Sequence, residues 1–211
     1  MDEADADGTV DGFVVKSVSS GTLRIGADAG SATAWVAGSN DTLNATTHAY
    51  WTPDPDVNGT PAAFEVVALD DDGAESATPV AVQVTVNPVN DAPTATNLTT
   101  TASYNEGDTS VGIEDIVISD VDAGEIVTAT LKLADTSTGS LSANDGASYT
   151  PGTGVWTITD GIANVNLALA NLVFNPAADN DQDTTIDVTI DDTANAVVVD
   201  AFLAVFNDTG G

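Results

Sequence analysis

Val80-Ala81-Val82-Gln83-Val84-Thr85-Val86 places valine at every second position, the spacing of a strand that buries one face. The run then meets Asn87-Pro88-Val89-Asn90-Asp91-Ala92-Pro93-Thr94. Proline has no N–H to donate, so it prevents simple continuation of a hydrogen-bonded ladder. Between strand and proline stand an amide oxygen and a carboxylate, both hard ligands suited to calcium. A strand that leaves through oxygen ligands into a second strand marks a boundary between two β domains, here near the middle of 211 residues.

The chain is long enough for two ordinary domains, each with its own core. It carries 33 acidic residues against 3 basic ones, a formal charge of -30. Such a charge repels nucleic acid and anionic lipid, which excludes both as direct partners. Hydrophobic residues make up 42%, too many for a disordered acidic tail, and they fall in alternating runs. Of the acidic residues 27 are Asp and 6 are Glu. Asp prefers loops and turns, where its short carboxylate can converge on an ion. Two readings stay open and are compatible: adaptation of the surface to a salty medium, and a large share of calcium ligands. Cysteine is absent, so disulfides and thiolate metal sites are unavailable. Met1-Asp2-Glu3-Ala4 is acidic and has no leader character, and no apolar run approaches a membrane span. The expectation is a piece of a longer chain with no membrane insertion.

The two halves repeat each other. Trp51-Thr52-Pro53-Asp54-Pro55-Asp56-Val57-Asn58 leads into Phe64–Asp72, and Phe174-Asn175-Pro176-Ala177-Ala178-Asp179-Asn180-Asp181 leads into Ile186–Asp192. Pro53 aligns with Pro176, Asp56 with Asp179 and Asn58 with Asp181. Upstream, Ser20-Gly21-Thr22-Leu23 matches Thr138-Gly139-Ser140-Leu141, and Asp5-Ala6-Asp7-Gly8 matches Asp120-Val121-Asp122-Ala123. The second half has further strand-like sequence before its Asp-x-Asp, from Tyr104 to Ser119, with no counterpart in the first. Either the first module has a shorter start, or its sheet has a gap that a strand from another molecule can fill.

Strands are expected over Phe13–Val18, Thr22–Gly26, Ala32–Ala37, Ala63–Leu69 and Val80–Val86. In the second half they are expected over Ala95–Tyr104, Asp115–Ser119, Ile126–Leu133, Val155–Thr159, Thr185–Ile190 and Val197–Phe206, with a helical turn or two in Gly161–Leu172. Turns rich in Gly, Asn, Asp and Thr separate them, as in sandwiches rather than βαβ folds. The fold class is therefore all-β: two tandem Ig-like or cadherin-like β-sandwiches, residues 1–89 and 90–211, joined by a short linker.

Residues Val89–Thr94, the Asp-x-Asp pairs and the strand pattern together resemble bacterial cadherin-like repeats, the modules of large secreted adhesins of the repeats-in-toxin type. The resemblance implies calcium sites built from separated loops. At the junction these would be Asn90 and Asp91, Asp120 and Asp122, Asp191 or Asp192, with Asp54 and Asp56 from the preceding module. A second, incomplete site would use Asp5, Asp7 and Asp70 or Asp72. A third, at the lower end of the second module, would use Glu106, Asp179 and Asp181. The Asp-Arg-Glu tripeptide of animal cadherins is absent, with Asp54-Pro55-Asp56 as its approximate replacement.

The resemblance also implies a structural role. These would be extender modules on an extracellular bacterial surface, stiffened by calcium for adhesion or biofilm formation, with neighbouring modules of the same chain as partners. Two rivals remain: a glycan- or peptide-binding module using Trp35, Trp51, Trp156, Tyr50 and Tyr149, or a self-associating filament subunit. Core packing is the simpler fate for those aromatics. His48 stands alone, with no second His or Cys to make a zinc site, and reads as a loop residue. With one His and two Lys in separate segments, nucleophile–base catalysis has little to work with, and no enzyme is expected.

Overall fold

The computed structural model describes residues 9–99, 101–105, 107–122, 124–192 and 199–207. The chain divides into two compact units, Met1–Val89 and Asn90–Gly211. Nearly all regular structure is β, in two sandwiches.

The first unit contains β1 (Val10–Val18), β2 (Thr22–Gly26), β3 (Thr33–Ala34), β4 (Thr42–Leu43), β5 (His48–Thr52), β6 (Ala62–Asp70) and β7 (Val80–Gln83). They form two sheets, ordered β4-β1-β6-β7 and β3-β2-β5. The core lies between them: Val15, Phe64 and Val66 from one, Leu23 and Ile25 from the other, with Trp51 half-buried against the cluster.

The second unit opens with β8 (Thr94–Thr96), β9 (Thr101–Tyr104), β10 (Val111–Gly112) and β11 (Val117–Ser119). It continues through β12 (Ile126–Leu133), β13 (Gly139–Leu141), β14 (Ser148–Thr150) and β15 (Val155–Gly161). The helix α1 (Ile162–Ala170) follows, then β16 (Val173–Pro176), β17 (Thr184–Asp192) and β18 (Val199–Asn207). The main sheet runs β14-β15-β12-β17-β18-β9, with β10-β16-β13 and the pair β11-β8 completing the unit. Strand β17 buries every second residue, from Thr184 through Ile186, Val188 and Ile190 to Asp192. Its partner β12 does the same, so one face of the sheet becomes core. Trp156 and Phe174 are fully buried there.

The repeat seen in sequence is a repeat in space. Leu23 pairs with Trp51 across β2 and β5; the aligned Leu141 pairs with Phe174 across β13 and β16. At the head of each pair stands a glycine. A Cβ on Gly21 would overlap Thr52 O and the Trp51 indole; a Cβ on Gly139 would overlap Asn175 O and the Phe174 ring. Glycine is needed because an aromatic ring and a backbone carbonyl occupy the space of a side chain. The aligned Asp56 and Asp179 both adopt left-handed backbone, φ +60° and +55°.

Several local expectations change. The Val80–Val86 strand ends at Gln83, where the pairing with β6 shifts register between Ala62 and Phe64, and Val86 keeps only an isolated bridge to Gly59. The helical turn or two expected in Gly161–Leu172 is a nine-residue helix. Ala95–Tyr104 is two strands, because Asn97 takes a φ of +63°, which an extended ladder cannot accommodate. Ala32–Ala37 shrinks to β3, since Asn40 Nδ2 donates to Thr33 O (3.1 Å) and Ala34 O (2.9 Å) beside a tight Val36–Asn40 turn. His48 begins β5 and is exposed, rather than lying in a loop.

Candidate metal centre

The start of the second unit gathers five of the residues expected at the junction. Asn90 Nδ2 donates to Asp192 Oδ2 at 2.8 Å and to Asp91 O at 3.0 Å. The Asp91 N–H donates to Asp122 Oδ2 at 2.8 Å. The Asp122 N–H in turn donates to Asp120 Oδ1 at 2.9 Å, a short Asx-type turn just after β11. Asp192 ends the buried row of β17 and is only 4% exposed. It sits opposite Val127 of β12. A carboxylate thus occupies the next position in a series of core residues, where burial without compensation is costly.

Compensation within this cluster is partial. Asp120 Oδ2 and Asp191 Oδ1 are buried and accept no hydrogen bond. Asp191 neighbours Asp192 on β17, opposite Thr128, and successive strand residues point to opposite faces. The one Lys or Arg of the second unit is Lys132. It pairs in register with Asp187, four residues along β12 from the Thr128–Asp191 pair, roughly 13 Å away at strand spacing. Buried carboxylate oxygens with no donor, and no nearby lysine or arginine within their own unit, fit a hard divalent ion, which takes six to eight oxygens from carboxylates, amides and carbonyls. Among the described residues no three His, Cys, Asp or Glu side chains converge tightly enough to hold a metal by themselves. Within this cluster, N–H donors occupy positions on Asp122, Asp120 and Asp192 that a cation would otherwise take.

The remaining candidates are placed as follows. In the first unit Asp54 Oδ2 accepts the Gly21 N–H at 2.9 Å, which ties the loop after β5 to the repeat glycine, and Asp56 is exposed. Asp70 Oδ1 accepts the Ala74 N–H at 2.6 Å in the β6–β7 turn, and Asp72 is exposed there. In the second unit Asp179 is exposed, and Asp181 Oδ1 accepts from Gln182 Nε2 at 2.5 Å. Beside them Asn180 Nδ2 donates to the Tyr104 hydroxyl, which itself donates to Gln182 O. Asp5, Asp7 and Glu106 lie outside the described residues.

Asp71, between the expected ligands Asp70 and Asp72, makes a contact of its own: its Oδ1 accepts the Thr9 N–H at 2.8 Å. That contact holds its carboxyl below the ordinary aspartate value. The repeat alignment carries the signal, since it sets Asp70-Asp71 against Asp191-Asp192.

Of the aromatics, Trp156 is buried with its Nε1 donating to Ser142 O at 2.9 Å, and Trp51 Nε1 donates to Ser20 O at 2.6 Å. Burial also pushes the Tyr149 hydroxyl upward. None of the described exposed large apolar side chains is aromatic, so no flat ring platform faces solvent among them.

No family model and no curated protein matches the sequence. Solved structures with partial likeness include the human desmocollin-1 ectodomain, at 14% identity and a TM-score of 0.42 over 89% of this chain. A Drosophila N-cadherin fragment, EC1-4, gives 12% and 0.42 over 98%. The fibronectin(III)-like modules of Clostridium thermocellum CbhA give 12% and 0.29 over 97%. The chain spans 33%, 44% and 82% of those chains, respectively. Overlaps of this size carry no argument, and the fold rests on the strands and cores described above.

Proposed function

We propose that the chain is a pair of extender modules of an extracellular adhesion protein, with the Asn90–Asp192 cluster as a calcium site at the start of the second module. The observation that carries this reading is the pair of buried, unpartnered carboxylate oxygens on Asp120 and Asp191. Buried like charges repel one another, and the one lysine or arginine of this unit, Lys132, lies four residues along β12 from the Thr128–Asp191 pair. Calcium, when bound, supplies the missing positive charge and accepts the oxygens that lack donors. Asp120 and Asp122 hold the loop after β11, Asp191 and Asp192 hold the end of β17, and Asn90 and Asp91 hold the chain entering the unit. Tying the three together restricts Val84–Pro93, which carries two prolines and no regular strand. The module would then act as a stiff spacer rather than a catalyst. Its surroundings would be extracellular, where calcium is abundant, as on a bacterial surface bearing repeats-in-toxin adhesins engaged in attachment or biofilm formation. Neighbouring modules of the same chain would be its partners.

The absence of cysteine makes spin labels straightforward to place. With labels at Ala77→Cys and Ala143→Cys, both exposed, calcium is expected to narrow the distance distribution between the units. Asp120→Asn with Asp122→Asn is expected to abolish the narrowing. An equally broad distribution with and without calcium overturns the stiffening role.

A further inference from the structure

The two sandwiches share a framework but not its closure. In the second unit β9 lies parallel to β18 and covers its outer edge, with Ala204 opposite Thr101 and Asn207 opposite Tyr104. On the other sheet β10 covers the edge of β16, with Val111 opposite Phe174, and the Ile113 N–H donates to Leu172 O at 3.3 Å. Ile113, Ile116 and Ile118 of the same opening segment are all buried in the core. Asn166 of α1 fixes its last strand, accepting from Ile118 N–H at 2.8 Å and donating to Ile118 O at 2.9 Å.

Among the described residues no strand covers the corresponding positions in the first unit. The counterpart of β18 is β7, which has a neighbour on one side only among the described residues, and three of its four residues are exposed. The counterpart of β16 is β5, also an edge among the described residues. By the repeat alignment Ala49 stands where Leu172 receives Ile113. Ala49 lines a cleft of about 460 Å³, whose walls include Val10, Phe13, Leu43 and His48. Where the second unit places a helix between β15 and β16, the first has only the Asn44–Thr47 turn between β4 and β5. Unpaired edges expose rows of N–H and C=O groups that template a further strand.

We propose that the β5 and β7 edges and this cleft form an acceptor for an extended polypeptide segment with the chemistry of Thr94–Ser119. Such a segment is a small polar strand for the β7 edge, followed by branched apolar residues for the cleft. The second unit identifies the occupant, because the same framework positions there are filled by that segment. Main-chain hydrogen bonds would supply the affinity and the isoleucines the register. The proposal is independent of the calcium site.

The test is a labelled synthetic peptide of residues 94–119 titrated into the full chain in chelator, followed by fluorescence anisotropy and amide exchange. Saturable binding is expected, with slowed exchange in Val80–Gln83 and His48–Thr52. A peptide with Ile113→Asp, Ile116→Asp and Ile118→Asp should bind at least tenfold more weakly. Absence of saturable binding, equal binding of the Asp peptide, or slowed exchange confined to the second unit would overturn the proposal. A second form avoids peptide solubility: residues 94–119 fused ahead of Met1. The fusion is expected to raise the first unit's melting temperature by on the order of 5 °C or more, and an unchanged melt contradicts the acceptor.

Discussion

The two units are built on the same central strands and end with different completeness. The second buries a continuous cluster running from Tyr104 to Ile190, with Trp156 and Phe174 at its centre and a helix on its flank. The first gathers a small cluster around Val15, Leu23, Ile25 and Phe64, with its tryptophans only half-buried. What they share is the pairing of a close-packed glycine with an aromatic on the facing strand, and the left-handed aspartate three residues after the aligned proline. What separates them is the opening segment. The framework of this sandwich is thus specified by local contacts, while depth of burial comes from strands added at its edges.

That contrast gives the largest expected effect. Phe174→Ala removes a fully buried ring, at a cost of about 3–5 kcal/mol, and should move the unfolding transition of the second unit in urea. Trp51→Ala, at the equivalent but half-buried position, should cost the first unit about half as much. Equal losses would mean that the first core is as closed as the second.

Next come the glycines. Gly139→Ala forces a Cβ to about 2.7 Å from the Phe174 ring, an overpacking cost of roughly 1–3 kcal/mol. Gly21→Ala carries the same clash against Trp51 and also a φ of +64°, which adds about 1–2 kcal/mol for a left-handed L residue. Urea unfolding should therefore show a greater loss for Gly21→Ala in its unit than for Gly139→Ala in the other. The reverse order would break the equivalence of the two positions.

The alternation of Ile126–Leu133 and Thr185–Ile190 made the central strands legible, because a two-residue period survives any loop between them. The β2 range, Thr22–Gly26, was legible for the same reason, preceded by Gly21 and ending on Gly26. Several of the shortest strands were not. β4, β10 and β14 hold too few side chains to show a period, and their pairing is dictated by neighbours remote in sequence. In the candidate site the Asp-x-Asp and Asn-Asp motifs drew attention to the right residues. The buried row of β17 explains why Asp192 is enclosed, and that row becomes informative only once its register against β12 is known. The role of Asn40 in shortening β3 is a side-chain contact that no pattern along the chain announces.

The smallest effect should be equal in both units, since it depends on local turns alone. The Ser31 hydroxyl, with the Ser31 and Gly30 N–H groups, holds Asp28 below the ordinary aspartate value. The Ser137 hydroxyl and N–H do the same for Asp135. A depressed folded-state value means that the stabilisation is present above the unfolded carboxylate range and is lost as pH falls through the folded value. Carboxyl titration by NMR should show Ser31→Ala and Ser137→Ala each returning its aspartate toward ordinary behaviour. A change in one unit alone would show that the turns are not locally determined.

The central claim is that the carboxylates of Asp120, Asp122, Asp191 and Asp192 form a calcium site. Its most direct test is a calorimetric melt of the full chain, first in chelator and then in millimolar calcium, with magnesium as control. A ligand at a hundredfold its Kd stabilises the folded state by about 2.7 kcal/mol. The second unit's transition should accordingly rise by several degrees with calcium and far less with magnesium, and Asp120→Asn with Asp122→Asn should remove the rise. A transition that calcium leaves unmoved, or that magnesium raises equally, would contradict the claim.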